Sequence, residues 1–283
     1  MKKNVLMAAG LALVGALALG GMTVRAADQI VGDSCKELPS WDSLKSALTA
    51  ARNASNGGLN LDMWGTIVNR DGVVCAVAFT GQNRGDQWPG SRVISAQKAN
   101  TANAFSLPGL ALSTANLYTA VQPGGSLFGL QESNPVSTDA AYSGNPGNYG
   151  LKNDPMVGSR IGGVNVFGGG LALYNSNGAL LGGLGVSGDT SCADHMIAYR
   201  TRHDLNLDYV PAGVAALLAG DTAHKDNAIF DIFYQNGGDA SPGTGQMPGV
   251  SVPSGFGQPS CHGYNAGGNA IDTALVLGLP PTR

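Results

Sequence analysis

Glycine occupies 43 of the 283 positions, about twice its usual share of roughly 7%, and that excess bounds the fold before any motif is read. The glycines follow no period of three, which excludes a collagen-like rod. Charged residues make up only 12% of the chain and aromatic ones 6%, so a core must be filled mostly by Ala, Val, Leu and Ile. The formal net charge is -3 without charge runs, which excludes a disordered acidic chain and a basic nucleic-acid binder. A compact, loop-rich globular domain with additions remains.

Residues 1–26 read as a secretory signal. Lys2 and Lys3 form a charged start, Val5 to Gly21 is apolar, and Val24 and Ala26 supply small residues for cleavage. An uncleaved anchor is the competing reading, but four glycines interrupt the apolar stretch and about 17 residues is marginal for a span. The expectation is therefore a periplasmic protein with no membrane insertion once the signal is removed. Its loss leaves 13 basic residues against 19 acidic ones, a balance that favours no nucleic acid. In an oxidising compartment Cys35, Cys75, Cys192 and Cys261 allow two disulfides in three connectivities. None sits in a C-x-x-C pair, which argues against zinc and against covalently attached haem.

Along the mature chain, Ser40 caps an amphipathic helix carrying Trp41, Leu44, Leu48 and Ala51. Two apolar runs, Met63 to Val68 and Val73 to Phe79, flank Asp71-Gly72 and predict a hairpin. A helix is expected from about Ser91 to Phe105, its Ala96, Ala99 and Ala102 suited to close packing against a sheet or a neighbouring subunit. Residues 122–160, rich in Gly, Ser, Asn and Pro, read as a long excursion without a core of its own. Strands are expected at Gly163 to Phe167, Leu171 to Tyr174 and Ala179 to Val186, then a helix running to about His203. Pro211 to Leu218 and Asn227 to Tyr234 look helical, residues 236–264 look like coil, and Ala270 to Leu279 is apolar. This order predicts an α+β fold with a central antiparallel sheet flanked by helices. The long insertion interrupts the domain, and residues 205–283 form an extension that wraps it.

Gly183, Gly185 and Gly188 match G-x-G-x-x-G, a dinucleotide-site pattern. The strand before them belongs to an Asn177-Gly178 hairpin, so the sheet is antiparallel there and the βαβ context is missing. Those glycines instead let the strand pass close to another backbone or to a flat ligand. Backbone amides around Ser187 and Gly188, at the start of the next helix, can receive a carboxylate. Position 189 is Asp rather than the Gly of a nucleophile elbow, which removes support for a serine hydrolase. His195, Tyr199, Arg202 and His203 fall on one helix face. Either this face binds a ligand, with imidazole for iron and guanidinium for an anion, or it is an ordinary solvated side. His224 and His262 read as surface histidines.

Three ordered motifs then resemble the GlcG/HbpS family. The run from Gly65 to Ala76 is similar to its opening hairpin. Ser95, Lys98-Ala99, Thr101-Ala102 and Phe105 resemble its S-x-x-KA-x-TA-x-x-F helix. Gly168 to Gly170, Asn177-Gly178, Gly183 to Gly188 and Asp194 resemble its closing segment. The resemblance covers roughly residues 40–204. It implies a profilin-like fold, homo-oligomers and, for some members, non-covalent haem b linked to haem sensing or iron handling. On that reading iron is held by His195 or by an oxygen such as that of Thr101, with His203 the second imidazole on the face. Lys98 and Arg202 then pair the propionates, Phe105 and Tyr199 flank the macrocycle, and Gly185, Ser187 and Gly188 line its berth. The insertion, the extension and a histidine at 195, where the family usually has an acidic residue, depart from the pattern. Two other functions fit the same sequence. One is an enzyme with a small-molecule pocket between insertion and extension, and the other is a scaffold for a sensory or transport partner.

Overall fold

The computed structural model describes residues 35–234, 250–262 and 270–283. The signal-like residues 1–26, and residues 236–249 and 263–264 of the expected coil, lie outside the described residues.

Ser40 caps α1 (Trp41–Arg52) by accepting the Ser43 amide. The hairpin follows as β1 (Trp64–Asn69) and β2 (Val74–Phe79). Asn69 Oδ1 accepts the Asp71 and Val73 amides, and Gly72 supplies the positive φ that the turn needs. Next come α2 (Ser91–Ala104) and the short α3 (Thr138–Ala141). A second hairpin, β3 (Gly170–Tyr174) and β4 (Leu180–Ser187), leads into α4 (Ser191–Asp204), capped by Thr190. The extension holds α5 (Val214–Ala219), a two-residue pair β5 (Phe233–Tyr234) and β6 (Val250–Ser251), and α6 (Ala270–Leu277).

The first four strands form one antiparallel sheet in the order β2-β1-β4-β3. On one face Leu44 and Leu48 of α1 and Met196, Ile197 and Tyr199 of α4 pack against Ile67, Leu171, Leu184 and Val186. On the other face α2 lies across β1, β3 and β4. The α+β expectation holds, with helices on both sides of one antiparallel sheet. Ala96, Ala99 and Ala102 are buried within the chain's own core.

Three local expectations fail, each for a physical reason. Residues 163–167 form no strand, because Gly162 and Gly163 both take positive φ and break the extension. Asn227 to Tyr234 is not helical: the Asn227 side chain accepts the following Ala228 amide, and Phe233–Tyr234 pairs as β5. The 122–160 excursion has no core of its own and packs onto that of the domain, with Ala141 and Met156 against Val93, Ala96 and Ala99. Asp154 anchors it, receiving the Arg92 Nε proton at 2.8 Å and the Gly150 amide at 2.6 Å. His224, read as a surface histidine, is buried, with Nδ1 3.0 Å from Asp221 Oδ1 and Nε2 3.2 Å from the Leu279 carbonyl.

The disulfides are Cys35–Cys75 and Cys192–Cys261. The second ties the first turn of α4 to the extension across 69 residues of chain, a closure worth on the order of 4 kcal/mol. Among the described residues no helix is long and apolar enough to cross a membrane.

Gly183 and Gly185 of β4 point at α2, where a Cβ on Gly185 would sit 1.9 Å from the Ser95 carbonyl oxygen. Gly185→Ala therefore forces two backbones apart. It is expected to cost at least about 2 kcal/mol in urea unfolding, and a loss below about 0.5 kcal/mol would show that the contact is slack.

Candidate functional site

The glycine face of β4 is filled by the backbone of α2, so of the two uses expected for these glycines the structure takes close backbone approach. That approach brings Lys98 across the sheet edge to α4. Its Nζ lies 2.7 Å from Asp194 Oδ2 and donates to the Val186 carbonyl at 3.1 Å, and both side chains are buried. Gly169, at φ +118°, leaves the space, since its Cβ would lie 2.9 Å from Nζ and 2.3 Å from the Val186 oxygen. The other Asp194 oxygen accepts the Gly188 and Asp189 amides at 3.0 and 2.9 Å. The amides at the start of α4 thus receive a carboxylate from within the chain. Burial pushes the Asp194 carboxyl up to about 6 against the pull of Lys98, and pushes the Lys98 ammonium down against the pull of Asp194.

The remaining candidates on α2 and β4 are also engaged. Ser187 Oγ donates to Ser91 Oγ at 3.1 Å. Thr101 Oγ1 donates to the Gln97 carbonyl and accepts the Asn165 amide. Phe105 packs in a separate cluster with Leu117, Val121 and Val164.

His195, Tyr199 and Arg202 do share one face of α4, and it is an inner face: all three are fully buried. The His195 and Tyr199 rings are 6.2 Å apart, and the Arg202 guanidinium lies 4.9 Å from the centre of the Tyr199 ring. The extension covers them. Asp226 takes both terminal nitrogens of Arg202, at 2.5 and 2.7 Å. The Ala228 amide donates to His195 Nε2 at 3.1 Å, and Gln258 accepts the Gly168 amide beside it at 3.0 Å. His203 stands at the rim, with Nδ1 2.7 Å from Asp208 Oδ2 and Nε2 3.3 Å from an Arg283 nitrogen.

Burial lowers the His195 pKa to about 4, so the ring is neutral at pH 7. With Nε2 accepting, its proton sits on Nδ1. Burial works against the Arg202 charge, but Asp226 outweighs it and holds the guanidinium protonated. Burial also raises the Tyr199 hydroxyl. Six buried side-chain atoms of the described residues lack a hydrogen-bond partner, and four of them line this seam: His195 Nδ1, Tyr199 Oη, Arg202 Nε and Asn227 Nδ2. Three of these are obligatory donors in the tautomer present and the tyrosyl hydroxyl is a fourth.

A haem seat on this face needs an imidazole nitrogen open to iron and cations open to propionates. Here His195 is capped, Lys98 and Arg202 are each paired with an aspartate, and residues 226–228 and 258 fill the approach. The nominated residues therefore do not fit haem in this closed arrangement. Three surface clefts, of about 260, 420 and 500 Å³, lie elsewhere. The largest, between residues 82–85 and 147–151, is lined by Phe79, Arg84, Tyr149 and Leu151. Among the described residues no three His, Cys, Asp or Glu side chains gather as a metal site.

Sequence reasoning missed Asp226 and Gln258, which lie in segments with no periodic or motif signal, and Asn227, which it read as the start of a helix. A neutral buried His195 makes a testable contribution to stability. Its folded pKa of about 4 is below the ordinary 6.5, so between those values the unfolded chain takes up a proton that the native one refuses. Stability falls as pH drops through this window, by about 3 kcal/mol in full. His195→Gln should flatten that acid limb in chemical unfolding from pH 7 to pH 4; an unchanged limb would mean that the ring is not sealed from water.

Residues 40–202 match the family model for haem degrading protein HbpS-like. No curated protein matches the chain significantly. Similar solved structures include a PduOC–haem complex, 24% identical with TM-score 0.41, covering 59% of this chain and 91% of that one. Klebsiella pneumoniae protein ORFY, of family DUF336, is 23% identical with TM-score 0.39 over 59% and 90%. A doubly substituted HbpS of Streptomyces reticuli is 16% identical with TM-score 0.40 over 70% and 97%. The family match runs from the cap of α1 to the last turn of α4, more than half of the chain, and the protein belongs to the HbpS-like family.

Proposed function

We propose that this protein binds haem b non-covalently and works in haem or iron handling or sensing. The observation that carries the reading is the family match, which spans the sheet, α2 and α4 and every nominated residue except His203. Bound haem would supply redox and oxygen chemistry at its iron; the chain's own contribution is to hold and orient it. The signal-like residues 1–26 support export to the periplasm. A homo-oligomer and a sensory or transport partner complete the proposal, and a monomer in light scattering would count against the oligomer.

Haemin titrated into the purified protein tests the central part. The titration is run on the disulfide-bonded form and again after phosphine reduction, and the Soret band is followed. A saturable shift at micromolar protein is expected in at least one form. Absence of saturation in both forms would end the haem reading.

A further inference from the structure

Four polar groups surround the sulfurs of Cys192–Cys261, and a disulfide makes little use of them, since its sulfurs accept weakly and have no proton to give. The Cys192 backbone amide donates to Cys261 Sγ at 3.2 Å, and Ser191 Oγ lies 3.6 Å from the same sulfur. Gln258 Nε2 donates to Cys192 Sγ at 3.7 Å, and the Pro259 carbonyl oxygen stands 3.8 Å from that sulfur. We propose that Cys192–Cys261 is a thiol–disulfide exchange site for small dithiols, with Cys261 the nucleophile of the reduced form. This activity is independent of the haem reading.

Each of the four groups has a task once the bond opens. Two donors face Cys261, which suits a thiolate. Cys192 faces one donor and one acceptor, which suits a protonated thiol that gives its proton to the Pro259 carbonyl and accepts from Gln258. The surrounding chain keeps both sulfurs in place. Gln258 Oε1 accepts the Gly168 amide at 3.0 Å, and the Gln258 backbone amide donates to the Ile229 carbonyl at 2.9 Å. Thr119 Oγ1 donates to the Gly257 carbonyl at 2.6 Å. Buried Asp272 accepts the Cys261 amide at 3.2 Å and lies 2.6 Å from His262 Nδ1. Opening the bond therefore leaves the two sulfurs as neighbours, and it closes again without a search by the chain. Cys192 is buried and Cys261 is partly exposed, so a reagent reaches Cys261 first.

In the forward direction a thiolate of the dithiol attacks Cys261 Sγ. The bond to Cys192 breaks, and its electron pair leaves on Cys192 Sγ, which takes a proton. The second thiolate of the dithiol attacks the reagent's own sulfur in the mixed disulfide and displaces Cys261 as a thiolate. Two electrons pass to the protein and the dithiol leaves as its cyclic disulfide. Of its two protons, one stays on Cys192 and the other goes to solvent.

The test follows both disulfides of the full-length wild-type chain in dithiothreitol at pH 7, with alkylation and peptide mass as the readout. Accessibility alone favours Cys35–Cys75, because Cys35 is exposed and Cys75 half-buried. Cys192–Cys261 is nevertheless expected to open at least about tenfold faster, since donors at both sulfurs stabilise the departing thiolates. Once it is reduced, iodoacetamide at pH 6 should modify Cys261 at least about tenfold faster than Cys192, with a pH midpoint below the ordinary thiol value of about 8.5. Oxidised glutathione should then restore the bond. Opening no faster than that of Cys35–Cys75, or a Cys261 midpoint at or above about 8.5, would overturn the proposal and leave Cys192–Cys261 a structural tie.

Discussion

The contact between the glycine face of β4 and the backbone of α2 sets the rest of the architecture. With no Cβ at positions 183 and 185, α2 settles onto the strand closely enough for Lys98 to reach past its edge to Asp194. That buried ion pair, completed by the Gly188 and Asp189 amides, joins the helix on one face of the sheet to the helix on the other. It also fixes how α4 leaves the strand, and therefore which residues of α4 point inward.

What α4 points inward is unusual for a core. His195, Tyr199 and Arg202 carry polar groups into it, and the segment packed on them supplies Asp226 to Arg202 and the Ala228 amide to His195. Elsewhere buried charge is well served: Asp154 receives Arg92 and two backbone amides. The Cys192–Cys261 disulfide adds a covalent tie between the first turn of α4 and the extension packed on it.

Much of the domain was legible in the sequence because its signals are local. Ser40 before an amphipathic run, Asp71-Gly72 between apolar runs, and Asn177-Gly178 ahead of a glycine-rich strand each specify their own geometry. The closing-motif glycines were legible as a site of close approach, but not as to what approaches, since the occupant lies some 85 residues away in α2. The partners were hidden for the same reason. Lys98 and Asp194 are separated by 96 positions, and Arg92 and Asp154 by 62. Arg202 and Asp226 are 24 apart, yet nothing periodic links them. An exposed ligand-lined helix and a buried one have the same spacing, so only tertiary structure shows that the extension lies over it.

The most direct test of the account is the position of iron in crystals of the haem-loaded protein, read from anomalous scattering at the iron edge. The account predicts iron away from the α4 face, with Asp226 still on Arg202 and the Ala228 amide still on His195. Iron bound at His195, with residues 226–228 and 258 displaced, would contradict it.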